Sequence, residues 1–302
     1  MKNRIAVLGS ANADYSMRTE TIPLPGETLA GRDFQLALGG KGANQAMACA
    51  RLGGAVDFIA CVGNDAAGKL ALTAYAEAEI NLEHVHVVDI PTGSALIFVA
   101  DSGENSIGVA PGANAALTPT HIDAANQTIH AADYLLMQLE SPIETLTHAA
   151  TSASASTTRV VLNPAPARSL PEALLRHVDV LTPNQTELAT LTDQPTDSAE
   201  AIQSAARSLL DRGLKTIIVT LGAAGALVVS RDTCTEVAAP SVTPLDTTGA
   251  GDTFNGALLV GLAERRTLVE AVQFANRAAA LSVTRRGAID SIPSRVEVDG
   301  FQ

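Results

Sequence analysis

Tryptophan is absent and aromatic residues make up only 3 % of the 302 residues. That scarcity leaves no platform on which successive bases could stack. Basic residues are also in the minority, with 20 Lys and Arg against 32 Asp and Glu and a formal net charge of −12. A chain this acidic lacks the electropositive footprint that a phosphate backbone requires, so nucleic acid is excluded as a partner class. The three cysteines, Cys49, Cys61 and Cys234, are odd in number and unclustered. They exclude a disulfide framework and a Cys-rich zinc site, and they read as buried, reduced thiols of a cytoplasmic protein. No apolar run approaches the ~20 residues of a membrane span. The positive mean hydropathy of +0.18 comes from dispersed alanines. The first apolar run, Ile5 to Leu8, is too short for the core of a signal peptide and reads as a buried strand. His84 and His86 alternate on a strand with no third ligand in view, so no metal is expected there.

What is present is periodic. Short β-branched runs alternate with Ala-rich stretches at helical spacing. The pattern predicts strands near 5–8, 56–62, 134–137, 160–162, 178–181, 216–220 and 226–229. It predicts helices near 43–52, 68–78, 143–151, 199–211, 250–263 and 268–283. Near-continuous apolar strands belong to a parallel sheet covered on both faces. The expected fold is therefore α/β, a doubly wound, mostly parallel sheet with helices on both faces, whose ligands sit beyond the carboxyl ends of the strands. Two segments, about 13–38 and 91–110, break the alternation with extended runs and turns. We expect one domain, 1–302, in which these inserted segments form a small β-sheet lid able to pair with a second subunit.

The most informative stretch runs from Asp246 to Leu258, Asp-Thr-Thr-Gly-Ala-Gly-Asp-Thr-Phe-Asn-Gly-Ala-Leu. Gly249, Ala250 and Gly251 precede an apolar run at helical spacing, which leaves backbone N–H groups free at a helix N-terminus to bind an anion. Asp252 lies in the same turn. A carboxylate beside a phosphate site repels it unless it takes a proton from an attacking hydroxyl, so the pair points to phosphoryl transfer. Neither common nucleotide motif is present. A dinucleotide fingerprint needs glycine where Phe254 stands, and a Walker A loop needs glycine at Gln35 and Ser or Thr at Gly42.

Other constellations admit two readings each. Gly39-Gly40-Lys41-Gly42-Ala43-Asn44 opens a helix and supplies donors, or is a plain helix entry. Asn12 and Asp14 follow the first strand, suited to sugar hydroxyls or to an Asx turn. Glu140, after a strand, is a sugar contact or a neighbour of a helix start. Asn184 and Glu187, one helical turn apart, orient a hydrated Mg²⁺ or form a capping box. Thr220 to Gly225 passes beneath a nucleotide or closes a hairpin.

Together these motifs resemble the ribokinase family of carbohydrate kinases, over essentially the whole chain from Asn12 to Ser291. Both family signatures are present, the Gly-Gly-Lys-Gly-Ala-Asn segment and the Asp246–Phe254 segment. Met137-Gln-Leu-Glu-Ser141, Leu162-Asn-Pro-Ala-Pro-Ala-Arg168 and Val283-Thr-Arg-Arg-Gly287 resemble its ribose-phosphorylating branch. The resemblance implies ATP-dependent phosphorylation of the 5-hydroxyl of D-ribose, with Asp252 as base and Gly249, Ala250 and Gly251 as anion hole. It implies Asn12, Asp14, Gly39, Gly40, Lys41, Asn44 and Glu140 around the sugar. Asn184, Thr220, Gly222, Gly225, Gly251 and Asn276 would meet the nucleotide, and Glu187 would act on Mg²⁺. A K⁺ loop would draw on Asp246, Thr248, Ser282, Arg285, Gly287 and Ser291, several through backbone oxygens. The chain departs from the family pattern at Gln185, where Glu is common, and at Asn276, where some relatives have His. Rival readings are a kinase for deoxyribose, a fructose-type sugar or a nucleoside, an NAD-dependent oxidoreductase, and a silent sugar sensor. The oxidoreductase would leave Asp252 without a task, and a sensor should have lost Asp252 or its glycines.

Overall fold

The computed structural model describes residues 3–301. In chain order its strands are β1 (Arg4–Leu8), β2 (Asn12–Thr19), β3 (Arg32–Gly39), β4 (Ala55–Gly63), β5 (Asn81–Val88), β6 (Gly93–Ala100), β7 (Asn105–Ala110), β8 (Tyr134–Met137), β9 (Arg159–Leu162), β10 (Val180–Leu181), β11 (Thr216–Thr220), β12 (Ala226–Ser230) and β13 (Cys234–Val237). The main sheet runs β13-β12-β11-β10-β9-β8-β1-β4-β5. Every pair from β11 to β5 is parallel, and β12 and β13 continue it antiparallel.

Alternation along each buried strand feeds two cores, one on each face. Ile5 and Val7 join Phe58, Ala60 and Val62 beneath the helices Lys41–Arg51, Ala250–Ala263 and Leu268–Ser282. Ala6 and Leu8 join Ile59 and Cys61 beneath Ile143–Ala153 and Ala199–Asp211. Both faces are thus covered, which is why the strands carry so few polar residues. The order reverses at β1, which lies between β4 and β8. Chains depart from that point toward opposite faces and leave a crevice at its carboxyl end.

The two segments that interrupt the alternation form a second, four-stranded sheet in the order β3-β2-β6-β7. Leu36 and Leu96 both pair with Tyr15 in register, and Tyr15 stacks on Phe34, so one face of this sheet is apolar. Phe34, Leu36 and Leu96 on that face are exposed.

Differences from expectation have local causes. The strand expected over 178–181 is reduced to β10, because Val178 donates its N–H to Leu175 O in a turn. Asp179 accepts from Val160 N and Lys215 Nζ at the sheet margin. Cys49 and Cys61 are buried as expected, but Cys234 is exposed because it opens the edge strand β13. Short helices such as Pro119–Ala124 and Arg295–Gly300 span too few turns to give a period.

Candidate active site

The site is built on two close backbone approaches. A Cβ on Gly42 would lie 2.5 Å from the Gly9 carbonyl carbon and from Ser10 N, so the first turn of the helix Lys41–Arg51 rests directly on the end of β1. Gly40, which precedes that helix, has φ +88° and would meet Asn12 N at 2.8 Å if it carried a side chain. Only glycine combines that conformation with that approach. The helix Ala250–Ala263 crosses Lys41–Arg51 at Gly256, where a Cβ would come within 2.4 Å of Ala48 Cβ. The crossing sets Asn44 and Gln45 opposite Asp252.

Asp252 is buried and accepts from Asn44 Nδ2 and from Gln45 Nε2, each at 2.9 Å. Burial pushes its carboxyl above the usual carboxylate range; Lys41, Asn44 and Gln45 pull it down, and Glu140 pushes it up. Asp14 is raised to about 6, first by burial and then by Glu140, against Lys41. Glu187 is raised by burial, and it too feels Lys41 and Asp252. One ammonium therefore faces three carboxylates drawn from separate parts of the chain. Among the described residues, Asp14 Oδ1 and Asn44 Oδ1 are buried with no hydrogen-bond partner. Buried acceptors left bare in this way are positioned for donors that arrive with a ligand.

Asn12 is buried and accepts from Asn114 Nδ2 at 2.7 Å, while Asn114 Oδ1 accepts from Ala11 N. Glu140 lies near the start of the helix Ile143–Ala153, as one of its two expected readings has it, and it also serves a distant helix. Its Oε2 accepts from Ser10 Oγ at 2.5 Å and from Lys41 N at 2.9 Å, so it caps the helix that carries Lys41 and Asn44. Gly39 leaves room for Asp14, whose Oδ2 would lie 2.1 Å from a Cβ there.

At the other helix entry Gly249 takes the left-handed conformation, φ +73°. Ala250 donates to Thr247 O and Thr253 to Gly249 O, and among the described residues the N–H groups of Gly251 and Asp252 have no backbone acceptor. Both are free at a positive helix terminus. Beside this turn opens a cavity of about 340 Å³ with mostly apolar walls. Thr220, Gly222, Gly225, Gly251 and Asn276 all line it, so five of the residues assigned to the nucleotide come together. Asn184 does not line it but bridges to Thr220 through the backbone. Sequence reasoning missed the opposite wall, Ala239 to Pro244, which has no periodicity; its prolines were the available signal. Asn276 Nδ2 donates to Val237 O at 2.8 Å and holds that wall in place.

Asn184 and Glu187 form a reciprocal capping box: Asn184 N donates to Glu187 Oε2 and Glu187 N to Asn184 Oδ1, each at 2.8 Å. The segments around Asp246 and Gly287 are joined. Asp246 accepts from Thr248 N and from Gly287 N, each at 2.9 Å. Burial pushes its carboxyl up, but these bonds and nearby Arg286 leave it below its usual range. Arg285 bonds Glu297, not Asp246. The hydroxyls of Ser282 and Ser291 bond Ala279 O and Ala288 O within their own turns.

The chain matches the model of the pfkB family carbohydrate kinases over residues 2–295. It is 43 % identical over 302 residues to a ribokinase of Haemophilus influenzae, covering 100 % of this chain and 99 % of that one. It is 39 % identical over 292 residues to a deoxyribokinase of Salmonella typhi, covering 96 % and 95 %. Its fold superposes on Arabidopsis thaliana ribokinase complexed with ribose and ATP with a TM-score of 0.95, at 35 % identity, covering 99 % and 98 % of the two chains.

Proposed function

The chain belongs to the pfkB family of carbohydrate kinases, and on that premise we propose that it transfers the γ-phosphoryl group of ATP to the 5-hydroxyl of D-ribose. The observation that carries this reading is the pair of bare buried acceptors, Asp14 Oδ1 and Asn44 Oδ1, in the field of Lys41 beside Asp252. They suit a polyol. The free N–H groups of Gly251 and Asp252 suit the anion that reacts with it.

In this reading Asn12, Asp14, Lys41 and Asn44 hold the sugar, and the Gly251 and Asp252 N–H groups hold the γ-phosphoryl; Ala250, expected in the anion hole, has its N–H bonded to Thr247 O instead. The 5-hydroxyl gives its proton to Asp252 as its oxygen bonds phosphorus, and the bond to the ADP oxygen breaks. A base raised by burial lies nearer the operating pH and is the stronger for it. Because little covalent chemistry falls to the protein, positioning and electrostatics supply the rate. Glu187, with one carboxylate oxygen outside its capping box, would orient a water of Mg²⁺ carried with ATP, and that ion would supply charge neutralisation to the phosphates. K⁺ bound by carbonyls of the Asp246 and Ser282–Ser291 segments would stiffen the anion turn, which Gly249 packs against Ala288. The small sheet serves as a lid and, through Phe34, Leu36 and Leu96, as a homodimer surface. We place the enzyme in the cytoplasm, where ATP is available and buried thiols stay reduced. Among the described residues no helix is long and apolar enough to cross a membrane.

The test is ADP release across pentoses, hexoses and nucleosides, with the product's phosphate located by NMR. Ribose should give the highest kcat/KM and a phosphate on C5. The kinship to a deoxyribokinase makes 2-deoxyribose the informative competitor. A higher kcat/KM for it or for a nucleoside would reassign the substrate, and no sugar-dependent ADP release would overturn the reading.

A further inference from the structure

Behind Asp252 lies a chain of buried polar side chains outside the sugar and nucleotide positions. Gln45 is fully buried. Its Nε2 donates to Asp252 Oδ1 at 2.9 Å and to Asn163 Oδ1 at 3.1 Å, and its Oε1 accepts from Gln138 Nε2 at 2.6 Å. Both N–H donors and the carbonyl are thus occupied. Reversing the amide would set its oxygen against the carboxylate and the Asn163 oxygen, so the orientation is fixed. Asn163 Nδ2 donates to Thr182 O at 3.0 Å, Thr182 Oγ1 to Asn255 Oδ1 at 2.6 Å, and Asn255 Nδ2 to Gly251 O at 2.8 Å. Gly251 O belongs to the peptide whose N–H, that of Asp252, is free in the anion turn. The chain therefore leaves the base's carboxylate, crosses the ends of β8 and β9 to Thr182 just beyond β10, and returns to the anion turn.

Packing alone does not call for this arrangement. Buried amides cost free energy unless fully paired, Gln138 Oε1 has no hydrogen-bond partner among the described residues, and apolar side chains would fill the space more cheaply. Gly9 is part of it, since a Cβ there would lie 2.0 Å from Gln138 Oε1. We propose that Gln45 is a positioning residue: its amide, locked by Gln138 and Asn163, aims the Asp252 carboxylate at the sugar hydroxyl and holds base and anion turn in one register. This rests on the reading of Asp252 as the base. Burial raises the Asp252 carboxyl, and Gln45 and Asn44 oppose that shift by donating to the charged form. The charged groups that face Asp252 are Lys41 and Glu140, with Glu187 on the nucleotide side. All three remain in the variants below.

Gln45→Met keeps length and volume but removes both donors. A hydrogen bond to a charged group is worth about tenfold or more, so kcat should fall about tenfold while the KM for ribose stays within about twofold. The acid limb of the kcat profile should move to higher pH, because the base ionises less readily without that donor. A residue that only fills space would not move that limb. Gln138→Met leaves Gln45 in place but frees its oxygen, and should give a smaller loss with the same direction of shift. If Gln45→Met is folded with wild-type kcat and an unmoved acid limb, the proposal is wrong. If that variant does not fold, the same result for Gln138→Met overturns it. Asp252→Asn separates the two readings. Retention of more than about a third of kcat there removes the base itself. An inactive Asp252→Asn beside a wild-type Gln45→Met removes only the role of Gln45.

Discussion

Gly256→Ala adds one methyl group at the crossing of the two helices that carry the site. The new Cβ would lie 2.4 Å from Ala48 Cβ, 2.9 Å from Cys49 N and 3.0 Å from Gln45 O. Carbon atoms settle at about 3.5–4.0 Å, so the helices must separate by about 1 Å or more. Two of these contacts are backbone, so a rotamer change cannot relieve them. The bonds from Asn44 and Gln45 to Asp252, each 2.9 Å, would then lengthen to about 4 Å and cease to be hydrogen bonds. Overpacking of this kind costs about 1–3 kcal/mol, and a 1 Å misplacement at a reacting centre costs about 10²-fold in rate. Thermal melting should show a Tm lower by several degrees, and a coupled ADP assay should show kcat down about 100-fold with the ATP KM little changed. A Gly256→Ala protein with wild-type Tm and kcat would refute the argument that this backbone contact sets the geometry around Asp252.

Asp14, at about 6 against a usual 3.8, holds its proton more tightly folded than unfolded, so its ionisation lowers stability as pH rises through that window. Ionised Asp14 accepts two hydroxyls and the acid form fewer, so calorimetric ribose affinity should fall as pH drops through about 6 and be flat in Asp14→Asn. Equal pH dependence in both would assign the effect elsewhere. Leu36→Glu with Leu96→Glu places charge on the apolar face of the small sheet; ultracentrifugation should show a wild-type dimer and a monomeric variant, and a wild-type monomer would remove the interface. At constant ionic strength K⁺ should raise activity several-fold over Na⁺, and Asp246→Ala should abolish the difference. Equal rates in K⁺, Na⁺ and tetramethylammonium would leave the loop without that role.

Strong local signals made much of this molecule readable from sequence. The buried strands and long helices follow from apolar periodicity, and Ala250–Ala263 begins and ends as expected. The two aperiodic segments did form a separate sheet. Thr220, Gly222, Gly225 and Asn276, which the sequence reading assigns to the nucleotide, line one cavity although they are up to 56 residues apart, the separation of Thr220 from Asn276. What escaped is what topology alone creates. Gln45 and Asp252 are 207 residues apart, and Gln138 and Gln45 are 93 apart. Gln45 and Gln138 are each locally an ordinary amide at the end or face of an apolar run. Nothing near Glu140 in sequence announces that it caps a helix beginning 99 residues earlier at Lys41. The Ala239–Pro244 wall has neither helical nor strand period, so pattern reasoning had no purchase on it.

Asp252 is proposed to take the proton of the attacking hydroxyl. The direct measurement is kcat for ADP formation with saturating ribose and ATP in Asp252→Asn, alongside calorimetric binding of both substrates. The amide keeps the shape and loses the base, so kcat should drop about 10²–10⁴-fold with both affinities little changed. A variant that binds both substrates and retains more than about a third of wild-type kcat would show that Asp252 is not the base.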